Sequence, residues 1–212
     1  MSTNRLNYLL IFFLLVFVLS GCLNTLFPIF TVKDVTYNSA LIGSWKYKED
    51  DKIRFIEFKN IPADRKKELT NEINVVSDKG YLVNRMDSAG NLISQSFVFL
   101  AKIGKNYFLD FYPAELPSQK SIAGIYKDHF IKAHTSYKFE FKDQEHFVMK
   151  RFARDFLDKL ISTNKINIAH QVVEEENVIT ASTEELQKFI IQYSDNPKAF
   201  AFETICERSV YY

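Results

Sequence analysis

Cysteine is nearly absent: two in 212 residues, Cys22 and Cys206. Two cysteines cannot build the disulfide framework of a small stapled scaffold. Glycine (six) and proline (five) are also scarce, which excludes a collagen-like or low-complexity chain. Charge of one sign is lacking too. The 27 basic and 26 acidic side chains leave a net charge of +1 at pH 7, too little to attract nucleic acid over distance. The one basic cluster, Arg65-Lys66-Lys67, is flanked by Asp64, Glu68 and Glu72 and reads as a solvated face. The longest apolar run is LLIFFLLVFVL, residues 9–19. As a helix it spans roughly 16 Å, about half the hydrocarbon core of a bilayer.

Catalytic signatures are missing as well. There is no Gly-x-Ser-x-Gly elbow, no glycine-rich phosphate loop and no His-Glu-x-x-His. Of the four histidines, His129 and His134 are five apart on an expected strand. That odd spacing puts them on opposite faces. His146 and His170 stand in no cysteine or paired-acid ligand motif, and all four read as solvated or satisfied histidines. Glu174-Glu175-Glu176 is too short for a calcium loop. Asp110, between Leu109 and Phe111, is either a functional acid on an apolar strand or a solvent-facing edge residue; the second is the expectation. Cys206 lies in an apolar strand, where Phe200, Phe202, Thr204 and Cys206 are expected to share one face, and reads as a small buried hydrophobe. The sequence thus assigns no catalytic residue, metal or cofactor, and the expectation is that the chain is not an enzyme.

The N-terminus is more explicit. Arg5 precedes the apolar run, and the small residues Ser20 and Gly21 end it, the layout of a secretory signal. Leu19-Ser20-Gly21-Cys22 resembles the lipobox of bacterial lipoproteins. That resemblance implies removal of residues 1–21 and attachment of diacylglycerol to the Cys22 thiol, with acylation of the new amino group. Two or more acyl chains hold a protein firmly on a membrane without a spanning helix. Loss of residues 1–21 removes only Arg5, leaving a neutral mature chain. Cys206 would then have no disulfide partner. The residue after the cysteine is Leu23 rather than Asp, which in that family points to the outer membrane where the cell has two. The implied location is the bacterial cell envelope. Residues 22–40 form the lipidated tether, but Leu26, Phe27, Ile29 and Phe30 are too apolar to float. They are expected to lie against the domain or the membrane.

Residues 41–212 read as one domain, mainly β with some α. Strand signals follow at Trp45–Lys48, Ile53–Phe58, 72–76, Tyr81–Met86, 93–103, Tyr107–Tyr112, 126–134, Tyr137–Lys142 and 146–152. Gly80, Gly90 and Gly104 sit at hairpin spacing between them. Tyr137, Phe139 and Phe141 alternate with Lys138, Glu140 and Lys142, the pattern of a half-buried antiparallel strand. The period then changes. Phe156, Leu157, Leu160 and Ile161 make one helical stripe, and Leu186, Phe189, Ile190 and Tyr193 another. Ser182 or Thr183 caps the second helix and Pro197 stops it. Strand-like INIAHQVV and NVITA lie between the helices, and AFAFETICERSVYY reads as a closing strand. The expected architecture is an antiparallel meander of about seven strands forming a barrel or curved sheet, with two helices in the C-terminal third.

Gly43-Ser44-Trp45 at the start of the meander resembles the Gly-x-Trp motif that opens the lipocalin barrel, and the likeness covers roughly residues 41–161. It implies that Trp45 plugs the closed end of a barrel and that an arginine after the last barrel strand packs over the indole. Arg151, with Arg154 as second candidate, holds that place because a helix follows HFVMKRF. VITASTEELQKFI is similar to uncharacterised envelope lipoproteins. Two functions follow from these features. One is a membrane-anchored barrel binding a small apolar or amphipathic ligand. The other is a structural or protein-interaction lipoprotein with a filled core, engaging another envelope protein. Aromatic residues, 15% of the chain, suit either, because they can line a cavity or fill it.

Overall fold

The computed structural model describes residues 24–114, 131–173 and 176–209. Cys22 and the signal segment lie outside the described residues, as do His129 and residues 126–130 of an expected strand. The barrel strands are β3 (Gly43–Glu49), β4 (Lys52–Asn60), β5 (Tyr81–Met86), β6 (Leu92–Ile103), β7 (Asn106–Pro113), β8 (His134–Phe141), β9 (His146–Phe152) and β12 (Phe200–Ser209). Each of β3 to β9 pairs antiparallel with the next. β12 then enters between β9 and β3, and the eight-stranded antiparallel barrel closes. Closure leaves no free edge within the barrel, which removes a route to edge-to-edge aggregation. Four short strands lie outside it: β1 (Asn24–Thr25), β2 (Val35–Thr36), β10 (His170–Val173) and β11 (Glu176–Ile179). β1 joins β8 on one side and runs parallel to β11 on the other.

Turn chemistry sets the register. Asp50 and Asp51 both take positive φ (47° and 61°), so the β3–β4 hairpin has the twist that matches its flanking strands. Gly90 (84°) and Gly104 (59°) are left-handed as their turns require. Gly80 differs. Its φ is not left-handed, but an added Cβ would stand 2.6 Å from the Phe99 ring and 2.7 Å from Ile61, so glycine is needed for close packing.

Two cores result. Alternate residues of the strands point into the lumen and form one, including Trp45, Phe58, Tyr81, Leu109, Phe147 and Cys206. The other lies outside the wall of β5–β7 and β9. There α2 (Arg154–Ser162) buries Leu157 and Leu160, α3 (Thr183–Tyr193) buries Leu186, Phe189 and Ile190, and the N-terminal arm adds Ile29 and Phe30. Ser182 caps α3 in a reciprocal capping box with Glu185. The arm starts beside β8, crosses the outer wall and reaches β6 through β2. Residues 24–40 therefore lie against the barrel. The helices form a second layer on the wall, and the last ten described residues are the eighth barrel strand.

Three expectations about local structure are corrected. Residues 72–76 are not a strand: α1 (Asn71–Asn74) forms one helical turn capped by Thr70, and Ile73 and Val76, three apart, bury the same face. Residues 131–133 are not strand, and His134 instead begins β8. Phe200, Phe202, Thr204 and Cys206 do not share a face. A bulge between Ala201 and Glu203 gives Phe202 a φ of 57°, and the extra residue reverses the alternation. Phe200 packs against the outer core, Phe202 is exposed, and Cys206 reaches the lumen.

Candidate functional site

The two ends of the lumen differ chemically. At one end β3 starts and β12 finishes, and the space is filled. Trp45 is wholly buried and donates from Nε1 to the Leu41 carbonyl at 2.9 Å. Phe147 meets the indole edge-on at 4.6 Å, and Phe58 and Tyr81 pack beyond it. Burial pushes the Tyr81 phenol up to about 12. The arginine over the indole is Arg208, with its guanidinium carbon 4.2 Å from the ring centroid. It also donates to the carbonyls of Ala40 (2.7 Å) and Ile42 (3.3 Å). Arg151 and Arg154 are therefore not the residues on Trp45. Arg151 stacks on Phe202 at 4.6 Å, and Arg154 pairs with Asp158. The expectation misplaced the arginine because β9 is not the last barrel strand. The chain leaves for α2, β10, β11 and α3 before it returns as β12.

The opposite end is polar. Directly paired residues of an antiparallel ladder share a face. Arg54 stands opposite Tyr47, Arg85 opposite Ile56, and Arg151 opposite Tyr137. Tyr47 and Ile56 belong to the lumen core and Tyr137 packs against it, so three arginines turn inward here. Glu49, also on the lumen face, is shared by two of them. It accepts from Arg85 Nη2 at 2.9 and 3.2 Å and lies 3.6 Å from Arg54 Nε. The 3.6 Å separation from Arg54 is too long for a hydrogen bond. Among the described residues Arg54 Nε, although buried, has no hydrogen-bond acceptor. Arg85 also donates from Nε to the Tyr47 hydroxyl at 3.0 Å. Burial alone would lower the Arg85 pKa, but Tyr47, Glu49 and, from another wall of the lumen, Tyr137 raise it. The side chains of Glu49, Arg54 and Arg85 retain 42%, 23% and 36% exposure, so solvent reaches this end. It is a charged, water-accessible vestibule above a plugged base: Asp87, just past β5, acts electrostatically on Arg54, and Asp50 and Asp51 form the β3–β4 turn at the same end. Ile53, Leu92 and Ile93 stand on its rim, each more than 40% exposed.

A second polar cluster is sealed. Asp110 does not face solvent at an edge; β7 is an interior strand and Asp110 is fully buried. Its Oδ1 lies 2.6 Å from His134 Nδ1, and its Oδ2 accepts from Ser136 Oγ (3.2 Å) and the Ile29 amide (3.1 Å). His134 is 2% exposed, Ser136 3%, and the Tyr112 ring covers the imidazole at 4.8 Å. With the arm closed over it, the cluster has no path for a substrate. Its geometry is that of a clamp holding the N-terminal arm on the barrel. The register pairing β7 with β8 brings Asp110 and Ser136 together, a pairing that reading each strand singly cannot reveal.

The remaining candidates are quiet. His146 pairs with Asp143, and His170 meets the Ile168 carbonyl. Among the described residues no group of histidine, cysteine and acid side chains could hold a metal ion. No described helix is long and apolar enough to cross a membrane. A groove of about 410 Å³ runs along the outer wall by Lys138, Lys150, Asp195 and Glu203. Its charges have partners: Lys150 with Glu203, Lys138 with the Ser194 carbonyl, Asp195 with Lys105. Cys206 is fully buried, and burial pushes its thiol pKa well above the ordinary value. Since the thiolate is the nucleophile, iodoacetamide at pH 8 should leave Cys206 unmodified in the native protein and label it completely in urea. Mass spectrometry reads the difference, and rapid native labelling would show that the lumen opens. No protein-family model matches the chain, nor does any curated protein or solved structure in the comparisons.

Proposed function

We propose that the protein is a bacterial envelope lipoprotein, anchored through Cys22, whose barrel holds a small amphipathic molecule at its open end. The supporting observation is the asymmetry of the lumen. A barrel that served only as a packed core would have apolar residues at both ends. This one turns Arg54, Arg85, Arg151 and Glu49 inward at one end, and solvent reaches Arg54, Arg85 and Glu49 there. The anchor reading rests on the LSGC segment and the apolar run before it.

The competing reading is a filled barrel that works through its outer surface. It draws support from the plugged base, where Trp45, Phe58 and Phe147 are wholly buried. Native mass spectrometry of the full-length protein, released from envelopes in mild detergent, separates the two. A reproducible adduct that disappears on denaturation supports the binding barrel. A bare mass after incubation with envelope lipids supports the filled one. The anchor has its own test. Cys22→Ala should leave an uncleaved precursor without lipid, read by metabolic labelling with a radioactive fatty acid; label retained on the variant defeats the anchor.

A further inference from the structure

We infer that the groove on the outer wall, between β8, β9 and β12 and the end of α3, is a second binding site, for a small molecule with one carboxylate and an aromatic body. It is separate from the vestibule and goes beyond the reading above. Three observations carry it.

First, the groove is a formed cavity. Its volume of about 410 Å³ falls within the range of small-molecule sites. Val148, Pro197, Phe200 and Phe202 give it an apolar lining, and the outward face of β9 places Val148 opposite Ile205 and Glu140.

Second, its charges are one short of balance. Five ionisable side chains line it: Lys138, Glu140, Lys150, Asp195 and Glu203. Glu140 pairs with Lys142 (2.9 Å), Asp195 with Lys105 (2.7 Å) and Lys150 with Glu203 (2.6 Å). Lys138 has only neutral partners. Its Nζ donates to the Ser194 carbonyl at 2.7 Å and lies 5.5 Å from the centre of the Phe200 ring. Among the described residues no carboxylate is in ion-pair contact with it. Burial lowers the Lys138 pKa. Asp195 and Glu140 act against that shift, and Lys150 and Lys105 add to it. The net direction is downward, so the neighbouring acids do not replace the solvation this ammonium has lost. A ligand carboxylate does so through a charge-assisted hydrogen bond. The three carboxylates already lining the groove oppose a second negative charge, which limits the ligand to one.

Third, backbone strain sits in the wall of the groove. Phe202 is the extra residue of the β12 bulge, with a φ of 57°, a conformation that costs a bulky residue energy. Its ring lines the groove and remains 59% exposed, with the Arg151 guanidinium 4.6 Å from its centre. An isolated exposed aromatic residue is ordinary. Here a strained bulge holds one beside an ammonium without an acid, and Phe200 lies in the same lining. Two rings suit an aromatic body, which packs on them by face or edge.

The test uses the full-length protein in detergent micelles, with empty micelles as the blank, and isothermal titration calorimetry. The probes are 2-naphthoate, its neutral amide and 2-naphthyl phosphate. The expected result is that 2-naphthoate binds about tenfold more tightly than the amide, the scale of one hydrogen bond to a charged group. Lys138→Met and Lys138→Gln should each abolish that preference at an unchanged urea midpoint, and Lys138→Arg should keep part of it. Phe202→Ala should weaken acid and amide alike by several-fold. Equal affinity for acid and amide, or binding of neither, overturns the site. A preference that survives in both Lys138→Met and Lys138→Gln puts the probe elsewhere; it overturns the groove and leaves the binding-barrel reading standing. Tighter binding of the phosphate than of 2-naphthoate overturns the singly charged class.

Discussion

Asp110→Ala should destabilise the protein by about 3–5 kcal/mol, the usual cost of removing one partner from a buried polar pair. Against a typical total of about 5–15 kcal/mol, that brings the fold close to its limit. The substitution strands three groups at once: His134 Nδ1, Ser136 Oγ and the Ile29 amide. None can turn to water, because His134 and Ser136 are nearly fully buried and the arm covers them. Leaving such groups unmade costs more than the bonds contribute when made. The loss should be local first. Ile29 belongs to the arm, so hydrogen exchange at residues 24–36 should quicken more than exchange in β4 or β5. Urea denaturation measures the global effect, and a midpoint within error of the wild type would mean that the cluster does not hold the arm. Asp110→Leu combined with His134→Leu provides a control. It removes the Asp110–His134 pair together and should recover the share of the loss due to the stranded imidazole, while the Ile29 amide and Ser136 hydroxyl remain unpaired.

The same residue shows how far a sequence can be read. Its neighbours Leu109 and Phe111 correctly mark a strand, and alternation correctly sets Asp110 on the face opposite theirs. Whether that face meets water depends on what lies against it, and the covering comes from an arm some eighty residues earlier in the chain. The barrel was legible because hairpins are local. Turn residues and period-two alternation carry the meander from β3 to β9, and the aromatic faces of Tyr137, Phe139 and Phe141 point the way its sides face. The two helices were legible for the same reason, through their apolar stripes and the Ser182 cap. Closure was harder to read, because the eighth strand lies nearly fifty residues beyond the seventh. That distance moved the arginine over Trp45 from the expected Arg151 to Arg208. The bulge at Phe202 was invisible as well, since a one-residue insertion leaves no mark on composition and reverses every later side chain. The vestibule was missed because its arginines come from three separate strands. Arg54 and Arg85 look like ordinary surface charges until register sets them opposite Tyr47 and Ile56. An inward arginine opposite an aromatic residue is a signal, but only once pairing is known.

Trp45→Ala should cost a further ~3–5 kcal/mol, in the range for truncating a large buried aromatic, and here the loss spreads along the closed end. The indole is wholly buried and contacts Phe147 edge-on, and the Phe147 ring in turn touches Phe58, Phe139 and Phe141. Removing it opens a cavity in the plug and takes away the face on which Arg208 rests. Arg208 links the last described turn of β12 to the carbonyls of Ala40 and Ile42, so the seam that closes the barrel is weakened together with its base. Two further variants separate these contributions. Trp45→Phe keeps an aromatic face but loses the Nε1 donor to Leu41, and should cost about 1 kcal/mol or somewhat more. Arg208→Met keeps the apolar stem and loses the cation over the ring, a contact worth ~0.5–2 kcal/mol, along with its carbonyl contacts. The order of urea midpoints should therefore run wild type, then Trp45→Phe and Arg208→Met, then Trp45→Ala, read by circular dichroism because Trp45 is the sole tryptophan. If Trp45→Ala unfolded at the wild-type midpoint, the plug would contribute nothing to stability. The barrel would then have to be held by its walls and its hydrogen-bonded seam alone.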